Sequence, residues 1–240
     1  MGRASALPAF TNPIALRRLI LRCLCALLVV NSLSFPAHAD MTARQAIAMV
    51  EAAERGDVSQ INRLLIVGVP VDARDELGRT GLLATVEHGR LEAFKVLLTE
   101  GADINAVARN LDTPWLLAGA LGRAEMLRLM IPKQPDLGLR NRFGGTALIP
   151  ACERGHVEAV KVLLTTKIDL DHVNNLGWTC LIEIALLGSD GARHLEVARL
   201  VLAAGANPNI ADRRGATPLQ LARSRGLQHL ARTLTAAGGR

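Results

Sequence analysis

The residues that could do chemistry are few, and their spacing suits little of it. Ser59, Ser189 and Ser224 are the serines after residue 40, and none sits in the Gly-x-Ser-x-Gly turn that presents a nucleophile. No histidine pair has the spacing of a helical zinc site, no Cys-x-x-Cys occurs, and no glycine-rich loop could cradle a phosphate. Asp169-Leu170-Asp171 starts like a calcium loop. Val173 then stands where a ligand is needed and Asn174 where the loop needs glycine. Glu183, Asp190 and His194 fall in one short stretch and would need to converge in a pocket to act as acid and base. Cys152 and Cys180 would be free to pair in an oxidising compartment. Five helical positions separate them by roughly 7 Å along an axis, with about 8–10 Å between helices added. That exceeds disulfide reach, so two small buried apolar side chains are expected. No catalytic residue, cofactor or metal is expected.

What must position any site is a repeat. The threonines at 80, 113, 146, 179 and 217 recur at intervals of 33, 33, 33 and 38. The glycines at 56, 89, 122, 155, 188 and 226 recur at intervals of 33 four times and then of 38. Two independent columns thus give one period and one five-residue insertion. Each Thr can cap a short helix by accepting a bond from a free backbone N–H. Pro114 and Pro218 follow directly, where a missing N–H costs nothing. The glycine ends that helix, and a second follows with apolar residues at helical spacing, such as Leu91, Phe94, Leu97 and Leu98. Neither helix can bury its face alone, so neighbouring copies must stack.

Thr217-Pro218-Leu219-Gln220-Leu221-Ala222, with Gly101-Ala102-Asp103-Ile104-Asn105 and Gly205-Ala206-Asn207-Pro208-Asn209, resembles the ankyrin repeat over about residues 42–240. The resemblance implies an all-α solenoid of about six helix-turn-helix repeats with finger loops. The repeats fall at about 42–74, 75–107, 108–140, 141–173, 174–211 and 212–240. Thr42-Ala43-Arg44-Gln45 fits a capping box opening the first. The insertion, near residues 189–193, should lengthen the turn of repeat five. Four departures stand out. Leu83, Leu116, Ile149, Ile182 and Gln220 replace the family's His. Leu111 occupies a turn-glycine position. Pro132 and Pro135 should cut a second helix short, and Pro150 should distort a first helix. The stack is expected to be irregular near repeats three and four. His156 and His194 share a place in the turn and are expected to be structural.

Residues 1–39 differ from the rest. They carry four arginines and no acid, an apolar run near Leu19–Val30, and Ala37-His38-Ala39. That is the pattern of an export signal cut after Ala39, which places the mature protein in the periplasm or outside the cell with no membrane span. The remainder holds 24 basic and 22 acidic residues, a net charge of +2. So weak a charge, with few aromatics, argues against nucleic acid. The segment about the insertion is also similar to exported bacterial ankyrin proteins.

The resemblance implies a surface of finger tips and first helices that binds another protein, and the chain is expected to be a monomer. Arg79, Arg109, Arg142, Phe143, Trp178, Arg213 and Arg214 occupy the finger columns. Arginine beside exposed Phe and Trp is the composition of interface hot spots. The alternative is an envelope enzyme or an immunity-like inhibitor with its site near the repeat-five insertion.

Overall fold

A computed structural model describes the backbone from residue 35 and side chains from residue 42, both to the C-terminus. Most of the expected export segment therefore lies outside the described residues. Twelve α-helices follow: α1 Phe35–Arg55, α2 Val58–Ile66, α3 Gly81–His88, α4 Leu91–Thr99, α5 Pro114–Ala120, α6 Ala124–Met130, α7 Leu148–Glu153, α8 Val157–Leu163, α9 Cys180–Leu187, α10 Ala192–Ala203, α11 Pro218–Ser224 and α12 Gln228–Ala236. Among the described residues no strand forms, and one isolated bridge pairs Arg74 with Thr80. The expected capping box at Thr42 is not a helix start. Pro36 sits in the first turn of α1, where proline is tolerated, and nothing from Ala37 to Arg55 breaks the helix.

Residues 43–240 form one compact unit in which the helices pair off as six repeats. From α3 onward each first helix packs on the next first helix, and second helices pack on second helices from α2. The capping chemistry is as the threonines foretold in four of five repeats. The hydroxyls of Thr80, Thr113, Thr179 and Thr217 accept from the backbone N–H three residues on, at 3.2–3.3 Å. Gln220 Oε1 in turn accepts from the Thr217 N–H at 2.9 Å, completing a capping box. Phe94, Leu97, Leu127, Leu163, Val201 and Leu234, all on second helices, are fully buried and knit the repeats into a single core. Leu83, Leu116, Ile149 and Ile182 are buried too, so apolar packing stands at the family's His position.

The insertion is divided between two places. The turn after α9 spans four residues, 188–191, against two after α3, and α10 has 12 residues against nine in α4.

The expected irregularity is concentrated where repeat three meets repeat four. Helix α6 stops after seven residues and gives way to a 3₁₀ turn at Ile131–Lys133. Leu111 adopts the left-handed backbone, φ 65°, that glycine takes at positions 78, 144, 177 and 215. Pro150 cannot donate to the Thr146 carbonyl, and α7 begins only at Leu148. Thr146 therefore caps nothing, and its hydroxyl is buried without a partner.

Cys152 and Cys180 form a disulfide, with Cα atoms 5.5 Å apart, which corrects the expectation of two free thiols. Adjacent first helices are neither level nor widely spaced, as that expectation assumed. The seventh residue of one repeat, counted from its Thr position, meets the second residue of the next, a sequence separation of 28. A methyl added at Gly119 would collide with Ala147, and one added at Gly81 would touch the Ala53 side chain at 3.6 Å. Cys152 and Cys180 are the same pair one and three repeats further along. Small residues at both positions bring the backbones closer than ordinary helix spacing.

Candidate functional site

Each finger is a tight turn built on one side chain. The Oδ1 atoms of Asp75, Asn141, Asn174 and Asp212 each accept two backbone N–H bonds, from the residues two and four positions on, at 2.8–3.0 Å. This local geometry turns the tip outward. Leu77, Phe143 and Leu176 project from the tips of repeats two, four and five with 59%, 50% and 46% of their surface exposed. In repeat three the anchor position is Ala108, and Asn110 accepts from the Asp112 N–H instead.

Neighbouring fingers lean on one another. The Arg109 N–H donates to the Leu77 carbonyl at 3.1 Å, and the Asn175 N–H to the Phe143 carbonyl at 2.9 Å. Arg109 lies over Gly78, Asn175 over Gly144 and Arg213 over Gly177, where any Cβ would crowd them. At the third finger the corresponding residue is Leu111, and Arg142 lies over the Phe143 ring, 4.9 Å from its centroid.

The seven finger residues singled out from the sequence fall into three groups. Arg79 is held by Glu54, Asp75 and Glu87 at 2.7–3.0 Å, so its charge is already satisfied within the chain. Arg109, Arg142 and Phe143 are exposed along fingers three and four. Trp178 is half-buried and, with Leu176, Leu186 and Leu221, lines a cleft of about 490 Å³ edged by Arg213 and Arg214. Arg109, Arg142, Arg213 and Arg214 make no ion pair among the described residues. Some basic residues on the second helices do pair with acids, as in Arg128 with Glu125, Lys161 with Glu158 and Arg199 with Glu196.

Glu183, Asp190 and His194 do not bond to one another, and each has a structural partner of its own. Asp190 accepts the N–H groups of His229 and Leu230 at 2.9 and 2.8 Å, serving the first turn of α12 from the neighbouring repeat. His194 Nε2 donates to the Glu153 carbonyl at 2.9 Å, while its Nδ1 faces the Ser189 hydroxyl and N–H. It does for its repeat what His156 does toward Ala120, and what Arg90 and Arg123 do toward Glu54 and Val86. All four satisfy carbonyls at the end of the preceding first helix, which have no partner within that helix. Burial is the main cause that lowers the pKa of His156, so its ring is neutral at physiological pH.

Glu183 is the surprise. It is 4% exposed, accepts one bond from Asn174 Nδ2 at 2.9 Å, and leaves Oε2 without a partner. Burial first, then the nearby Glu153 carboxylate, push its carboxyl up to about 7 against the Asn174 bond and Arg154. A sign of it was present in the sequence. The same column reads Ala84, Leu117, Pro150 and Leu221 in the other repeats, so the acid stands at an otherwise apolar position. Through Asn174 it fixes the amide that holds the Leu176–Trp178 finger. Among the described residues no group of three His, Cys, Asp or Glu side chains is placed to hold a metal, and no helix is long and apolar enough to cross a membrane.

The family model described as Ankyrin repeats (3 copies) matches twice, over residues 49–138 and 115–212. The ankyrin repeat protein YahD of Escherichia coli K12 is 37% identical over 188 residues, covering 78% of this chain and 94% of its own. An ankyrin repeat domain from Acinetobacter baumannii AYE superposes with a TM-score of 0.76 at 43% identity, over 80% of this chain and 98% of its own. The ankyrin repeat protein EF0377 gives 0.75 at 37% identity, over 78% and 96%.

Proposed function

Because the chain belongs to the ankyrin-repeat family, we propose that it is an exported, non-enzymatic binding module that grips a protein partner with its finger row and first-helix face. The observation that carries this reading is the row of unpaired arginines at 109, 142, 213 and 214, set among exposed Phe143, Leu176 and the half-buried Trp178. These four guanidiniums lie beside apolar side chains and have no ion pair among the described residues, so they can meet a partner's acids. Large aromatic and arginine side chains are also the residues that carry most interface energy. Attraction of the arginines for acidic groups raises encounter rate and specificity more than affinity.

Export has two independent supports. One is the basic, apolar and Ala37-His38-Ala39 sequence. The other is the Cys152–Cys180 disulfide, which suits an oxidising compartment. Mass spectrometry of protein recovered from the periplasm should find Asp40 as the first residue. A cytosolic chain that still begins at Met1 would refute export.

The binding reading is tested by recovery from periplasmic extract after mild cross-linking, comparing the natural chain with a Trp178→Ala, Arg142→Ala double variant. The natural chain should enrich one partner that the variant loses. Equal recovery of the same protein by both would remove the finger face from consideration.

A further inference from the structure

The cleft between fingers five and six differs from the rest of the face because it combines an apolar lining with an unpaired basic edge. Its apolar lining comes from Leu176, Leu186, Ala216 and Leu221 together with Trp178. Arg213 is fixed at the edge by donating to the Asn175 carbonyl at 2.5 Å, and Arg214 stands beside it, exposed. The one lining carboxylate, Asp212, turns an oxygen inward to the N–H groups of Arg214 and Ala216.

We propose that this cleft receives one large apolar side chain from an extended segment of a partner protein, with carboxylates flanking that side chain on Arg213 and Arg214. The proposal rests on the binding-module reading and adds the place and the chemistry of the partner. At about 490 Å³ the cleft lies within the range of cavities that bury a ligand, roughly 300–1,000 Å³. Two arginines without an ion pair set the sign of what flanks the buried group. The chain's own segment 1–39, with four arginines and no acid, carries the wrong charge to fill it. Single-stranded nucleic acid is the other polyanion that arginine and tryptophan attract, but it needs successive aromatic platforms. Here one ring lies among three leucines.

The test is selection of random peptides displayed on phage against the full chain purified in its exported form. Peptides recovered are then synthesised and titrated by calorimetry, with Trp fluorescence followed as well in every chain that keeps Trp178. Trp178 reports the cleft, since the other tryptophan, Trp115, is 1% exposed. The peptides should share a Leu, Ile, Phe or Trp flanked by Asp or Glu. Binding should weaken at least tenfold in Trp178→Ala and in the surface variant Arg213→Glu/Arg214→Glu, whose folding is checked by thermal melting. Arg199→Ala, on a distant helix face, should change it less than twofold. Selected peptides without acids, undiminished binding in the arginine variant, competition by single-stranded oligonucleotide at equal concentration, or failure to select any peptide would each overturn the cleft assignment. Peptides that bind but ignore these variants would leave the binding module standing and the cleft refuted.

Discussion

Thr146 and Thr179 hold the same place one repeat apart, yet only Thr179 caps a helix. The difference is Pro150, which delays α7 and leaves the Thr146 hydroxyl buried and unbonded. An unsatisfied buried hydroxyl costs about 1–3 kcal/mol, while a lost Thr cap costs about 1 kcal/mol. Thr146→Val should therefore stabilise the chain by about 1 kcal/mol and Thr179→Val destabilise it by a similar amount, read from urea midpoints at constant slope. Shifts of the same sign would show that the Thr146 hydroxyl is bonded in solution. Glu183 gives a second residue-scale prediction. Its folded pKa of about 7 lies above the ordinary carboxyl value of 4.5. Between those values the unfolded chain has released the proton and the folded chain still holds it. Stability is thus full below about 4.5, falls as pH rises toward 7, and is level above. Glu183→Gln should remove that slope, gaining about 1–3 kcal/mol over the natural chain at pH 8 and little at pH 4. An unchanged slope in the variant would mean Glu183 ionises freely.

At the scale of elements, the repeats are joined by a ladder that has one missing rung. The side chains of Asp72, Asn105, Asp171 and Asn209 accept the N–H groups of Asp103, Asp136, Asn207 and Arg240 at 2.8–2.9 Å. The third of the five places in that column is Gly138, which has no side chain to offer. Gly138→Asn should supply the rung, toward the N–H of Asp169, and lower unfolded-state freedom. The only crowding is with the end of the flexible Asp136 side chain. A gain of about 1 kcal/mol in thermal or urea unfolding is expected, and a loss would show that the loop cannot shift to accept it. Much of this level was legible in the sequence. The threonine and glycine columns foretold the helix pairs, and Leu111, Pro132 and Pro150 foretold where the stack would falter. Contacts between repeats were not, because a period of 33 says which residues are equivalent and not which ones touch. The pairing of small side chains across a separation of 28 holds that information, and overlooking it made the cysteines look too far apart. Which finger arginines find an ion-pair partner was equally hidden. Arg79 and Arg109 are both finger arginines, and the placement of Glu54, Asp75 and Glu87 gives the first its ion pairs while the second has none among the described residues.

For the whole molecule, stability in a stack of repeats is close to a sum of each repeat and its contacts with its neighbours. The seam between repeats three and four is short of three contributions at once: the Thr146 cap, the Gly138 rung, and a backbone bond between fingers such as Arg109 gives to Leu77. The next seam is stapled by Cys152–Cys180, which spans a sequence separation of 28 and in the chain-entropy account adds about 3–4 kcal/mol. A weak joint beside a fastened one predicts that the stack opens in two parts. In the oxidised chain, amides of α2–α6 should exchange through an opening that leaves α9–α12 protected, with the free energies separated by a few kcal/mol. Reduction, or Cys152→Ala with Cys180→Ala, should lower protection of α9–α12 until the two halves exchange together. Hydrogen exchange followed by mass spectrometry on both forms reads this directly. One uniform opening free energy across all repeats in the oxidised chain would mean that the seam carries no weakness. The consequence for binding is that the Trp178 cleft belongs to the fastened half. A partner held there would keep its grip while the first three repeats breathe, and would let go more readily once the disulfide is reduced.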